Sequence, residues 1–206
     1  MFVNPAHPDA PGHPAVASTG HRERLLAAMA QAVASRGLAN TTVADVVTLA
    51  RVSRRTFYEH FASREDCFLA LYEAISAQAL RVLAAAIEPG RDWRPQIGEA
   101  LQRYLALLAS QPMLLRAMFV AVFELGDAGL AARRRVHESL ADYIESVFRA
   151  SAGPQDSPPQ RELVTGLVGG IHELVLQALE DGRAEQLTAL VPSVTRLITR
   201  VLGEPV

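Results

Sequence analysis

Two short helices joined by a tight turn constrain this chain more than any other feature in it. They lie in residues 41–61, TTVADVVTLARVSRRTFYEHF. Val43, Val46, Val47 and Ala50 recur at i, i+3, i+4 and i+7, which puts them on one face of a helix. The tetrapeptide Ala50-Arg51-Val52-Ser53 is too short for anything but a turn. Ser53 closes it as an N-cap, because its hydroxyl can accept an orphan backbone N–H. Phe57 and Phe61 follow at i, i+4 with Val52 just upstream, so one face of the second helix packs back on the first. The opposite face carries Arg54, Arg55, Thr56, Tyr58 and His60. This is a helix-turn-helix layout.

The residue types on that face fit DNA. Arg54 and Arg55 lie in the first turn of the second helix, where guanidinium groups can fork onto guanine O6/N7 or onto phosphate oxygens. Thr42 is placed to cap the first helix, whose N-terminal N–H groups and hydroxyl can hold a phosphate. Tyr58 and His60 can donate to the backbone. The plainer reading of Tyr58 and His60 is as surface residues of a small helical bundle.

The segment from Arg22 to about Tyr72 resembles the DNA-binding domain of the tetracycline-repressor (TetR) family. The matching residues are Thr42-Val43-Ala44-Asp45-Val46, Val52-Ser53, Thr56-Phe57-Tyr58, His60-Phe61 and Ser63-Arg64-Glu65. The resemblance covers about a quarter of the chain. It implies a one-component transcriptional regulator, usually a repressor, that is dimeric and is released from DNA by a small ligand. It also implies that the last two helices pack across a twofold axis as a four-helix bundle. Arg54, Arg55 and Thr56 are then expected to read bases or set the helix in the groove. Thr42, Arg51, Tyr58, His60 and Arg64 are expected to hold phosphates.

Three positions depart from the family pattern. Arg51 stands where Gly is common, at a turn position that often needs a left-handed backbone; such a backbone costs a residue with a side chain roughly 1 kcal/mol. Arg64 replaces a Lys and keeps its charge. Glu59 brings a carboxylate close to the presumed DNA face, where a solvated position suits it better than a base contact.

Charge distribution agrees in sign. All 20 basic residues are Arg, and the net charge is −2. Residues 21–66 hold seven Arg against five acids, and residues 67–206 hold 13 Arg against 16 acids, so the front segment is the positive one. The single Cys, Cys67, rules out a disulfide framework within one chain and suits a reducing compartment. Cys67 reads as a small buried residue rather than a redox switch. No apolar run is expected to span a membrane, and the N-terminus lacks the basic start and apolar core of a signal peptide. A cytoplasmic protein is expected.

The expected architecture is all-α, with about nine helices in three parts. Residues 1–20 hold four of the 12 prolines and read as a disordered arm. His7, His13 and His21 are too irregularly spaced for a metal tract. Residues 21–66 form the helix-turn-helix domain, braced by a first helix over residues 22–37. Residues 67–206 form an effector-binding and dimerisation domain. Its first strut runs from Ser63, paired with Asp66 in a capping box, to Ile87. Further helices are expected over 91–110, 113–125, 130–150, 160–180 and 186–202. Arg133, Arg134 and Arg135 are expected to be solvated or salt-bridged. Gly166, Gly169 and Gly170 sit mid-helix, where each costs roughly 1 kcal/mol against Ala; a closely approaching backbone or ligand would explain them.

Tyr104, Met118, Phe119, Phe123, His137, Tyr143 and His172 have the mixture of apolar body and polar tip expected of an effector cavity. Without a basic cluster around them, they favour an apolar or amphipathic small molecule over a phosphorylated one. An enzyme is not expected. The chain has no glycine-rich phosphate loop, no paired metal-ligand spacing and no nucleophile–histidine context, so no catalytic residue, metal or cofactor is assigned. The alternative function is a helical interaction or ligand-binding protein without specific DNA binding.

Overall fold

Each element of the helix-turn-helix is built by local chemistry. A computed structural model describes residues 14–151 and 158–203. Helix α2 (Val43–Ala50) starts at a reciprocal cap: the Asp45 N–H donates to Thr42 Oγ1 at 3.2 Å, and the Thr42 N–H donates to Asp45 Oδ2 at 2.8 Å. It ends in a Schellman turn, with the Arg51 N–H donating to the Thr48 carbonyl and the Val52 N–H to the Val47 carbonyl. Arg51 holds the left-handed position of that turn (φ 53°, ψ 49°), as its departure from Gly implies. It is the only residue other than Gly with positive φ among the described residues. Helix α3 (Arg54–His60) is capped by Ser53, whose hydroxyl accepts the Thr56 N–H at 3.0 Å.

Helix α1 (Pro14–Arg36) braces both. It begins eight residues ahead of the expected Arg22, inside the segment read as a disordered arm. Proline is well suited to a first helical position, since its missing N–H would have no intrahelical partner there. Residues 1–13 of that arm, with His7 and His13, lie outside the described residues. The Arg36–Asp45 ion pair (2.6 Å) fastens the end of α1 to the start of α2.

Helix α4 (Arg64–Ala84) leaves this domain, capped by Ser63 through the Asp66 N–H at 3.0 Å. Helix α5 (Ile97–Ala109) follows. Then come α6 (Pro112–Arg116), one π-helical turn (Ala117–Ala121) and α7 (Val122–Glu124) as one continuous rod, bent 95° from α5. The corner into α8 (Gly126–Ser151) is tight: a Cβ on Gly129 would collide with the Val122 carbonyl oxygen. Helix α9 (Arg161–Glu180) is followed by a 3-10 segment (Ala184–Leu190) and α10 (Val191–Gly203). The single last helix expected over 186–202 is therefore broken, with Pro192 at the second residue of α10 and Gln186 at a non-helical φ of −111°. With α6 and α7 counted as one rod, the described residues form nine α-helical rods and no strand.

Three buried clusters hold these rods together. The first runs without a break from the helix-turn-helix (Val46, Phe57, Phe61) through α4 (Phe68, Leu71, Tyr72) to Met118, Val122 and Ala132. The second joins α4, α5 and α9 to Leu187, and the third joins Trp93 and α5 to α8, α9 and α10. Two clusters each draw on α4 and on α9, which explains a departure from expectation. Both helices are long and apolar enough to cross a membrane by length and composition. Here each has apolar residues on several faces because it packs on several sides. The division expected at residues 66 and 67 falls in the first turn of α4, inside the continuous first cluster.

Candidate DNA-binding face and effector cavity

On α3 the buried residue is Phe57, and the outward residues are Arg54, Arg55, Tyr58 and Glu59. Tyr58 is 57% exposed although it is a large aromatic residue. Arg51 is exposed on the turn beside them. The structure thus brings together Arg51, Arg54, Arg55 and Tyr58 of the expected DNA contacts on one solvent face. Glu59 is paired with Arg55 (3.1 Å) across one helical turn and is solvated, so it balances part of that charge.

The other four expected contacts are placed differently. Thr56 is half-buried, with its hydroxyl 3.0 Å from the Ser53 hydroxyl. His60 is half-buried between His21 and Phe61, with ring centroids 6.4 Å from each. The Thr42 hydroxyl donates to Asp45 Oδ2 at 2.6 Å, so its proton is committed to the cap instead of being free for a phosphate. Those Thr42 bonds, followed by Arg36, hold the Asp45 carboxyl below the usual carboxylate range. Arg64 is turned inward. Its Nη1 donates to the carbonyls of Thr41 (2.9 Å) and Leu38 (3.3 Å), and its other nitrogens bind Glu65. Two backbone acceptors far away in sequence meet it there, which gives it a structural role.

Behind this domain three adjoining cavities open between α4, α5, the α6–α7 rod, α8 and α9. One of about 200 Å³ is bounded by Tyr72, Ala79, Tyr104, Leu115, Met118 and Phe119. A second, of about 70 Å³, is almost wholly apolar and lies among Trp93, Leu101, Tyr104, Tyr143, Phe148 and Ile198. A third, of about 80 Å³, reaches Phe123, Arg133 and Glu173. His172 lines all three.

His172 is fixed from several sides. Its Nδ1 lies 3.0 Å from the Val168 carbonyl, which can only accept, so Nδ1 carries the proton. Phe119 stacks on the ring at 5.3 Å, and the His137 ring lies 4.2 Å away. Burial pushes the His172 pKa down to about 4, against the Val168 bond, and the Arg133 charge lowers it further. Burial pushes His137 down to about 3, with His172 and Arg133 adding to it. Both rings are therefore neutral at neutral pH. Burial raises the Tyr104 phenol to about 12. Tyr143 Oη and His137 Nε2 are buried without a hydrogen-bond partner.

Six of the seven expected effector residues line these cavities: Tyr104, Met118, Phe119, Phe123, Tyr143 and His172. His137 backs His172 and opens on a separate polar hollow with Arg134, Glu138 and Arg161. Tyr72, Trp93, Leu140 and Arg133 also line the cavities and were not expected there. For Arg133 a signal existed. It shares a stripe with His137 and Leu140 at i, i+4 and i+7, whereas Arg135 turns out to Glu73 (2.6 Å). Cys67 is fully buried, and that burial raises its thiol to about 12, which disfavours the reactive thiolate. Among the described residues no group of three metal-ligating side chains occurs.

Comparison with known proteins agrees with this geometry. Residues 25–71 match the family model of bacterial regulatory proteins, tetR family. No curated protein matches the chain. The fatty acid degradation regulator FadR from Bacillus halodurans is similar in structure, with a TM-score of 0.71 and 15% identity over 92% of this chain and 96% of that one. So is the multidrug binding protein EbrR, solved with imidazole, at 0.68 and 18% over 90% and 97%. A TetR transcriptional regulator from Rhodococcus sp. RHA1 aligns at 0.65 and 17%, over 90% and 97%.

Proposed function

We propose, from the match of residues 25–71 to the tetR-family model and from the fold shared with the solved regulators, that the chain is a transcriptional repressor that binds an inverted-repeat operator as a homodimer and is released by a small apolar or amphipathic effector. It acts in the cytoplasm, where its DNA lies, and performs no catalysis. The observation that carries this reading is α4. Its Tyr72 lines the effector cavity and belongs to the same buried cluster as Phe57 and Phe61 of the helix-turn-helix. Arg51, Arg54, Arg55 and Tyr58 face the operator.

Dimerisation through α9 and α10 is supported by Gly166 and Gly169. A Cβ at either would meet nothing within 4 Å in the single chain, which leaves room for the backbone of a second copy to approach. Leu163, 42% exposed one turn before Gly166, extends the same face. A twofold dimer sets two recognition helices about 34 Å apart in successive major grooves.

The test is fluorescence anisotropy of the purified protein with duplexes from the DNA flanking its coding region, at two salt concentrations and against scrambled competitor. Saturable binding that survives the competitor supports the reading. Absence of binding at low salt, by protein that mass spectrometry shows to be ligand-free, refutes it.

A further inference from the structure

The third cavity holds a guanidinium that no carboxylate pairs with among the described residues. Four arginines among the described residues are half-buried: Arg64, Arg133, Arg161 and Arg183. Three of them are paired with carboxylates: Arg64 with Glu65, Arg161 with Asp142 and Glu145, and Arg183 with Asp181. Arg133 makes no ion pair among the described residues. Its guanidinium lies over the Phe123 ring, 5.5 Å from the centroid, and lines the cavity with His172, Met118 and Phe119. Taking a guanidinium partly out of water without an anion to replace that water is unfavourable. The arrangement suits an anion that arrives with a ligand.

The surrounding groups narrow the anion. His172 is neutral and its one N–H is held by Val168, so it adds no positive charge. No second basic side chain lines this cavity. Glu173 does line it, is exposed, and lies 3.4 Å from Gln177 Nε2 rather than against Arg133. One guanidinium beside a carboxylate disfavours a dianion such as a phosphate monoester. A single planar carboxylate matches the guanidinium fork. Past His172, which all three cavities share, lie the larger cavity, mostly apolar with Ser76, Gln78, Ser110 and Gln111 on its wall, and the smaller, almost wholly apolar one.

We propose that the effector is a monocarboxylate with an extended apolar tail, its head paired with Arg133 at the outer cavity and its tail directed past His172 toward Tyr104 and Leu140. This inference rests on the effector-cavity reading above. It assigns Arg133 as the residue that distinguishes an anionic ligand from a neutral one of the same length.

The probes are decanoate, 1-decanol and decyl phosphate, below their micellar concentrations. Binding is read from the fluorescence of the single tryptophan, Trp93, which lines the second cavity. Decanoate should bind about tenfold or more tighter than decanol, as a charge-assisted hydrogen bond implies, and tighter than decyl phosphate. Arg133→Gln should abolish that preference while leaving decanol affinity unchanged, and Glu173→Gln should tighten decanoate. Equal binding of decanoate and decanol by the unsubstituted protein overturns the proposal. So does equal loss of both in Arg133→Gln, or no binding of any probe. Anisotropy with flanking DNA on the same samples separates the two failures. Operator binding by the ligand-free protein that decanoate does not release sinks this inference alone, whereas no operator binding by the ligand-free protein sinks the regulator reading.

Discussion

Arg51→Gly should make the protein more stable and bind DNA less well. Arg51 sits at φ 53° and ψ 49° in the Schellman turn that ends α2. That left-handed conformation costs an L-residue about 1–2 kcal/mol. Glycine removes the cost but adds backbone freedom to the unfolded chain, worth roughly 0.5–1 kcal/mol. The net gain is about 0.5–1 kcal/mol, which for a chain of this size raises Tm by roughly 1–4 °C. Arg51→Ala removes the same side chain and keeps the strain, so its Tm should stay near that of the parent. The comparison of Gly with Ala therefore isolates the backbone term. Scanning calorimetry at one fixed protein concentration measures it, since the Tm of any protein that self-associates depends on concentration. If Arg51 also holds a phosphate, both substitutions should reduce the slope of log K against log salt by about 0.9. A glycine variant no more stable than the alanine variant would refute the strain argument. An unchanged salt slope in both would remove Arg51 from the DNA contact.

Two further outcomes test the cavity. Tyr143→Phe deletes a buried hydroxyl that has no partner; leaving such a group unpaired costs about 1–3 kcal/mol, so the ligand-free variant should melt higher, and a lower Tm would show that the hydroxyl is bonded. Stability should also fall on acidification. The folded-state pKa values of His172 (about 4) and His137 (about 3) lie below that of an unfolded histidine, near 6.5. The unfolded chain therefore takes up these protons first. The contribution is complete above about pH 6.5 and is lost toward the folded pKa, by at most about 1.4 kcal/mol per pH unit for each ring. Denaturant midpoints at pH 7 and pH 5 should differ less in His172→Phe than in the parent, and an identical difference would show that His172 is not buried as a neutral ring.

The helix-turn-helix was legible because its determinants are local. The apolar spacing of α2, the Thr42 and Ser53 caps and the left-handed Arg51 all depend on residues within four positions of one another. The inward contacts of Arg64 were not legible for the opposite reason. Its acceptors, Leu38 and Thr41, lie 26 and 23 residues away, and an arginine beside a recognition helix looks free until the chain is folded. The break before α10 was hidden because residues 186–202 keep an apolar period across Pro192, which is tolerated in a first helical turn. The early start of α1 was hidden by the proline content of residues 1–20. Arg133 was grouped with two solvated neighbours, since three consecutive arginines reveal nothing about phase until α8 is set against α9.

The inward turn of Arg64 bears on how ligand and operator could exclude one another. Through Leu38 and Thr41 it ties the first turn of α4 to the loop ahead of α2, and the Arg36–Asp45 pair ties α2 to α1. Tyr72 lies farther along α4, and with Met118 it faces the cavities on one side and the first buried cluster on the other. A packed core does not deform continuously. A ligand that displaces Tyr72 or Met118 therefore moves α4 as a unit, and Arg64 carries that movement to the start of α2 and so to α3. In a dimer the displacement alters the separation of the two recognition helices. The operator, by holding that separation, opposes the ligand to the same extent, typically by 1–3 kcal/mol in coupled systems of this kind. On this reading Arg64, whose charge lies against carbonyls and Glu65, would act in that coupling.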